Sequence, residues 1–390
     1  MPIGSDASSK GPRILHVVST GRRRGAEVFA SDLVGALAEE RIEQHVAVLR
    51  GTQAAEVRYR APVTVVGAES ANETLRPGTV RSLRGILRDV APDIVQAHGG
   101  EALKYSFLAG LGKDAGLVYR RIGSVHPRTT AGFRKVAYGA MMRRAHRVVA
   151  LGDSAREETV RVFGVRPERI VTIPNGVDPR RIRPRRTREE VRSALGLAPD
   201  AWVVLSLGAL TWEKDPVAQV HVAAAVLRRS TRAVFLIAGD GPLHAELARA
   251  VAAEGLEGRV LLLGNRPDPG DLLVASDILL MTSRTEGVPG AAIEGAMAGV
   301  PVVAYSIGGI SEAVRDGTTG LLGAPGDPRT LAEHVLTLLE SEARLRQMGR
   351  AALEWSRRFD IGAVAPRYLR LYRSLVGNRL DSSIDQEVTP

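Results

Sequence analysis

Glu286 and Glu294 stand eight positions apart in the stretch Glu-Gly-Val-Pro-Gly-Ala-Ala-Ile-Glu, which runs on as Gly-Ala-Met-Ala-Gly-Val-Pro-Val-Val-Ala. The run from Asp277 to Ser283 ahead of it is apolar at its centre and reads as a buried parallel strand, and Pro289 is placed to open the helix that follows. Glu286 then lies on the loop where strand turns into helix. Main-chain N–H groups of Val288, Gly290 and Ala291 at that start lack intrahelical acceptors, and with the helix dipole they make a seat for a phosphate. Gly287 and Gly290 let a ligand approach closely. Glu294, on the helix, aims a second carboxylate at the same place. Two acceptors for hydroxyl groups flanking an anion seat suit a sugar diphosphate. Two rivals stand beside this: a pair of solvated surface charges, or a glycosidase pair, whose facing geometry sequence spacing does not give.

A cation belongs near such a seat. Lys214 follows the strand pattern at 203–207 in Gly208-Ala-Leu-Thr-Trp-Glu-Lys-Asp and is placed to neutralise a leaving diphosphate; its bland alternative is a surface lysine paired with Glu213 or Asp215. His126, in Gly-Ser-Val-His-Pro after the strand pattern at 118–122, offers an imidazole that can hydrogen-bond a hydroxyl or steady developing charge.

The elements that must position these groups alternate regularly. Strand patterns at 13–19, 46–49, 63–66, 94–98, 118–122, 148–151 and 170–173 are separated by helical or loop segments, beginning with helical spacing at 26–40. The pattern repeats with strands at 203–207, 234–238, 260–263, 278–281 and 302–305, then helices near 329–341, 342–357 and 366–376. Such alternation predicts α/β architecture with two doubly wound parallel sheets, in which ligands bind outside the carboxyl ends of strands. The proline-punctuated polar stretch after Asp178 marks the linker. The expected organisation is a disordered N-terminus at 1–12, a first domain at 13–182, a second at 183–360, a last helix at 361–377, and a disordered tail at 378–390.

Composition narrows the class. The 390 residues favour two domains, and the absence of cysteine removes disulfides, thiolate metal sites and a cysteine nucleophile. The first ten residues lack the apolar core of a secretory signal, and no apolar run approaches membrane-spanning length, so a soluble cytoplasmic enzyme is expected. The net charge of +10 is uneven: residues 1–185 carry 31 Lys and Arg against 18 Asp and Glu, and the remainder 22 against 25. Arg22-Arg23-Arg24 and the Arg134 to Arg147 series are the densest clusters. This charge permits an anionic or lipid-linked acceptor and peripheral contact with the inner face of a membrane. No Gly-Lys-Ser/Thr phosphate loop, Asp-x-Asp pair or His-x-x-x-His pair occurs, and Gly110-Leu-Gly-Lys-Asp-Ala115 follows a helix pattern rather than a strand, the reverse of a dinucleotide turn.

With its two glutamates separated by seven residues and this flanking sequence, the chain resembles the retaining GT-B glycosyltransferases of family four (glycosyl transferases group 1). Ile173-Pro-Asn-Gly-Val-Asp178, Gly208 with Lys214, Ala238-Gly-Asp-Gly-Pro242, Gly308-Gly309 with Glu312, and Gly317 with Gly320 carry the same resemblance over nearly the whole chain. It implies two Rossmann-like domains facing a central cleft, the last helix crossing back to the first, and transfer of a hexosyl group from a UDP- or GDP-linked sugar with no cofactor and no metal. It also implies attack by the acceptor on the face the diphosphate leaves. Glu286 would bind the transferred sugar, Glu294 the ribose, Lys214 and the helix start the leaving group, His126 the sugar, and Gly25, in Gly21-Arg-Arg-Arg-Gly-Ala-Glu27, donor phosphate or acceptor. One departure is Ala209, where many similar sequences carry arginine; Arg266 or Arg121 would have to supply that charge.

Two other functions compete. An epimerase or hydrolase of nucleotide sugars on the same scaffold would show itself by its products. A basic protein binding nucleic acid or membrane on a vestigial transferase fold would show salt-sensitive polyanion binding without turnover; the sequence has no basic-aromatic stacking face, and nucleic acid is not expected as a partner.

Overall fold

Short runs rich in Ile, Val, Leu and Ala form the strands, because parallel strands covered on both faces are largely apolar, with buried polar residues such as His16 and Gln96 among them. The structure, a computed structural model, describes residues 11–51, 56–68, 75–110, 115–123 and 132–387, with side chains described as far as 377. It divides into two units, residues 1–176 with 361–390, and residues 177–360.

In the first unit, β1 (Ile14–Thr20), β2 (Gln44–Arg50), β3 (Val63–Val65), β4 (Ile94–His98), β5 (Gly116–Arg120), β6 (Arg147–Ala150) and β7 (Ile170–Thr172) form one parallel sheet ordered β3-β2-β1-β4-β5-β6-β7. Helices α1 (Gly25–Glu39), α2 (Pro77–Val90), α3 (Gly100–Ala109), α4 (Gly132–Arg144) and α5 (Asp153–Phe163) connect them. The second unit repeats the plan with β8 (Trp202–Leu207), β9 (Ala233–Ala238), β10 (Val260–Gly264), β11 (Ile278–Met281), β12 (Val302–Tyr305) and β13 (Gly320–Gly323), ordered β10-β9-β8-β11-β12-β13. Its helices are α6 (Arg188–Ala194), α7 (Pro216–Leu227), α8 (His244–Ala253), α9 (Pro269–Ala275), α10 (Gly290–Met297), α11 (Ile310–Ala313), α12 (Pro328–Leu339) and α13 (Glu342–Ser356). Strand order reverses between β1 and β4 and again between β8 and β11. Loops leaving the carboxyl ends of these pairs diverge and open a crevice.

A final helix, α14 (Ile361–Glu387), belongs to the first unit. Val364, Tyr368, Leu371, Tyr372 and Leu375 recur at helical spacing and pack with Phe29, Leu33 and Leu37 of α1 in one buried cluster. The Tyr372 hydroxyl donates to Gln96 Oε1 at 2.9 Å.

Several boundaries differ from the sequence expectation. The units part after Gly176 rather than 182, because the Val177 N–H donates to Phe359 O at 2.9 Å and Pro179–Ile182 forms a 3-10 turn against α9. The last helix begins at Ile361 and runs to Glu387 where a tail from 378 was expected; residues 378–387 hold neither Gly beyond 377 nor Pro to stop it. Pro12, assigned to a disordered start, is buried, while residues 1–10 lie outside the described residues. Among the described residues no helix is long and apolar enough to cross a membrane.

Two histidines sit in the first core. His16 Nε2 meets Gln44 Oε1 at 3.0 Å, and His16 Nδ1 meets His98 Nε2 at 3.1 Å. A carboxamide oxygen only accepts, so His16 carries its proton on Nε2 and accepts through Nδ1 from His98. Burial lowers the His16 pKa from 6.5 to about 4 and holds His98 well below its ordinary value. Between those two values the unfolded chain binds more protons than the folded one, so stability is complete above pH 6.5 and declines toward pH 4. His16 alone is expected to remove about 3 kcal/mol between pH 7 and pH 4, read from urea unfolding at several pH values and flattened in His16→Gln.

Candidate active site

Two loops at the strand-order reversal of the second unit hold the candidate residues Lys214 and Glu286. After β8 the chain turns through a 3-10 turn at Trp212–Lys214; after β11 it passes Thr282 to Pro289 before α10. They are stitched together: Thr282 Oγ1 donates to Asp215 O at 2.9 Å, and the Arg284 N–H donates to Glu213 O at 2.8 Å. Asp215 has φ +46°, a left-handed turn that lets the chain reverse into α7.

This stitching brings Lys214 and Glu286 together. Lys214 Nζ lies 2.5 Å from Glu286 Oε1, and Ser283 Oγ donates to the same oxygen at 2.6 Å. Glu286 is buried, with 8% of its side chain exposed against 33% for Lys214, so the ammonium is the wetter partner and the one an incoming anion meets. A small cavity of about 20 Å³ lies beside them, lined by Gly208, Ala209, Lys214, Gln219, Thr282 and Ser283.

Helix α10 begins at Gly290, so Pro289 is its N-cap rather than its first helical residue. Proline has no side-chain acceptor, and the cap makes no side-chain hydrogen bond, so the first-turn amides of Gly290 and Ala291 have no side-chain cap. A Cβ built at Gly290 would meet nothing within 4 Å, leaving open space beside that turn. Val288 is buried just before the cap. Gly309 backs onto the main chain of this loop: its N–H reaches Glu286 O at 3.4 Å, and a Cβ there would stand 2.8 Å from Gly287 O.

Glu294 is not part of the Lys214 pair. It projects from α10 to Arg181 of the Pro179–Ile182 turn and forms an ion pair with it. Asp178 positions that turn by accepting from the Arg180 N–H at 2.9 Å. Arg266 is committed elsewhere: its Nε and Nη2 grip Asp268 at 2.8 and 2.6 Å. Arg121, one residue past β5, is buried in the first unit with its guanidinium on Thr159, Glu158 and Ala155 O. Gly25 is the first residue of α1 with open space at its Cβ position, and the loop before it is held by Thr20 N donating to Glu27 Oε1 at 3.2 Å. His126 lies outside the described residues. Ser283 and Arg181 were not singled out by sequence. Ser283 stands three residues before Glu286, a spacing that means nothing until the loop closes. Arg181 was signalled only by Asp178-Pro179, a capped turn start.

An ammonium attracts an anion, as do helix-start amides without a side-chain cap, and a buried carboxylate accepts from hydroxyls. Known proteins place the chain in a family. Residues 187–355 match the profile of the glycosyl transferases group 1, and residues 23–181 that of glycosyltransferase family 4. D-inositol 3-phosphate glycosyltransferase 1 of Catenulispora acidiphila is 28% identical across 96% of this chain and 93% of its own length. 2-Deoxystreptamine glucosyltransferase of Streptomyces kanamyceticus is 30% identical across 67% of this chain and 68% of its own. Among solved structures, Anabaena HepE in complex with UDP-glucose is similar with a TM-score of 0.81 at 23% identity, over 93% of this chain and 100% of that one. Sucrose-phosphate synthase of Thermosynechococcus elongatus gives 0.80 at 19%, over 94% and 100%. With matched regions on both units and a two-domain Rossmann-like α/β fold, the chain belongs to the group 1 glycosyl transferases of family 4 and is a glycosyltransferase.

Proposed function

We propose that the chain moves a hexosyl group from a UDP-linked sugar to an acceptor hydroxyl, with retention at the anomeric carbon and without a metal ion. The observation that carries this is the Lys214–Glu286 pair, held at the ends of β8 and β11 just ahead of the uncapped start of α10. In this reading Lys214 and the amides of Gly290 and Ala291 stabilise the departing diphosphate, whose charge grows in the transition state. Glu286, fixed by Ser283, accepts from hydroxyls of the transferred sugar, with Gly287 and Val288 setting the loop. Glu294 receives the ribose hydroxyls. Gly25 and His126, in the first unit, keep the roles that the resemblance implies for them. Arg266, paired with Asp268 as Lys214 is with Glu286, stays a further candidate for the diphosphate.

UDP and UDP-glucose bound to HepE support the choice of donor. The inositol 3-phosphate of several relatives' names supports a phosphate-bearing acceptor, in keeping with the positive balance of residues 1–185. The absence of any Asp-x-Asp pair supports transfer without a divalent ion.

The test is an incubation with UDP-glucose and inositol 3-phosphate in excess chelator, with products read by NMR. An α-linked glucoside formed at full rate is expected. A β-linked product removes retention, a rate restored only by added metal removes metal independence, and free glucose alone favours the hydrolase. Binding is checked separately by thermal shift: UDP-glucose at 100 times its dissociation constant is expected to add about 2.7 kcal/mol of stability, and UDP a comparable amount.

A further inference from the structure

We propose that Arg284 is a second diphosphate-binding cation of the donor site, a reading that rests on the nucleotide-sugar function above. The charge balance asks for one. A diphosphate carries more than one negative charge, whereas Lys214 is already paired with Glu286 and Ala209, on the neighbouring loop, carries none.

The arginines around these strand ends differ in how firmly they are held. Arg266 forks onto Asp268 through two nitrogens, and Arg186 binds both Asp268 and Asp271. Arg284 is held loosely. Its main chain is fixed, because its N–H donates to Glu213 O at 2.8 Å on the turn that ends in Lys214. Its side chain is 51% exposed and meets Asp215 Oδ2 through Nη2 at 2.8 Å. The guanidinium carbon lies 5.5 Å from the ring centroid of Trp212, itself an exposed indole on the same turn as Lys214.

This geometry anchors the Arg284 Cα within two residues of Glu286 and leaves the charged end able to exchange partners. The pair is made through one guanidinium nitrogen and is open to water from the arginine side, with Arg284 51% and Asp215 17% exposed, so an anion can compete for the fork. A phosphate accepts the planar fork through two oxygens and holds it more strongly than a single carboxylate contact does. The indole face supports the guanidinium in either position. Asp215 keeps Arg284 beside the site until a diphosphate takes it.

The experiment compares the full chain with Arg284→Ala and Arg284→Lys, titrated calorimetrically with UDP and GDP and followed by saturation-transfer NMR with uridine. Arg284→Ala is expected to weaken the better-bound diphosphate by roughly tenfold or more, the loss of one charge-assisted contact. Uridine binding and the melting temperature stay unchanged, and the lysine variant recovers part of the affinity. Unchanged diphosphate affinity in Arg284→Ala overturns the inference, as does a loss falling equally on uridine. A parent chain that binds neither diphosphate overturns the donor reading itself.

Discussion

Alanine at Lys214 is expected to reduce glycosyl transfer by roughly thirty- to a thousandfold, about 2–4 kcal/mol of transition-state stabilisation, the range for losing one electrostatic donor. The loss belongs in kcat more than in KM, because the leaving oxygen gains charge only as the glycosidic bond breaks. The same substitution leaves the buried Glu286 carboxylate with Ser283 and no ammonium, so stability falls too. Lys214→Ala with Glu286→Gln separates the two effects. The double variant regains stability by removing the buried carboxylate whose ammonium was lost, yet stays inactive. Single-turnover rates and melting curves on the three proteins decide this, and a kcat unchanged in Lys214→Ala removes its role.

A methyl group at Gly239 is expected to destabilise the second unit by about 3–5 kcal/mol, combining a strained backbone with overpacking. Gly239 has φ +155°, and a Cβ there would stand 1.8 Å from Gly208 O. The obstacle is main chain, so no rotamer relieves it. Both strands are also tied in place: Gly208 N donates to Ala238 O at 3.1 Å, and Gly239 N to Gly264 O at 2.8 Å. Relief has to shift the loop leading to Lys214, so donor binding falls with stability. Gly85→Ala, on a helix with nothing within 4 Å of its Cβ position, is the control and is expected to gain about 0.5–1 kcal/mol. Urea midpoints of both variants are the measurement.

The strands were legible wherever the chain is apolar on both faces. Patterns at 94–98, 278–281 and 302–305 coincide with β4, β11 and β12 residue for residue. The strand β13 was missed, because Gly-Leu-Leu-Gly offers two apolar residues between glycines. Its glycines answer to packing instead: a Cβ at Gly320 would lie 2.2 Å from Val302 O. The last helix was expected from 361 and begins at Ile361, although the helical spacing was clearest only from Pro366, which lies inside it. At the site, the strand-loop-helix order put Lys214 and Glu286 on neighbouring loops. That Ser283 shares Glu286 Oε1, that Glu294 faces Arg181, and that Arg266 is gripped by Asp268 depend on how loops close, which local pattern does not encode.

The first unit is built from both ends of the chain while the second is one uninterrupted stretch. A ribosome therefore delivers Phe29, Leu33 and Leu37 long before Tyr368 and Tyr372, the side chains that cover them. The nascent amino-terminal half has to wait, its apolar helix face uncovered, until the segment from Ile361 to Leu375 emerges, and by then residues 177–360 are free to have folded. Premature termination just before Ile361 would consequently spare the later-made half and cripple the one synthesised first.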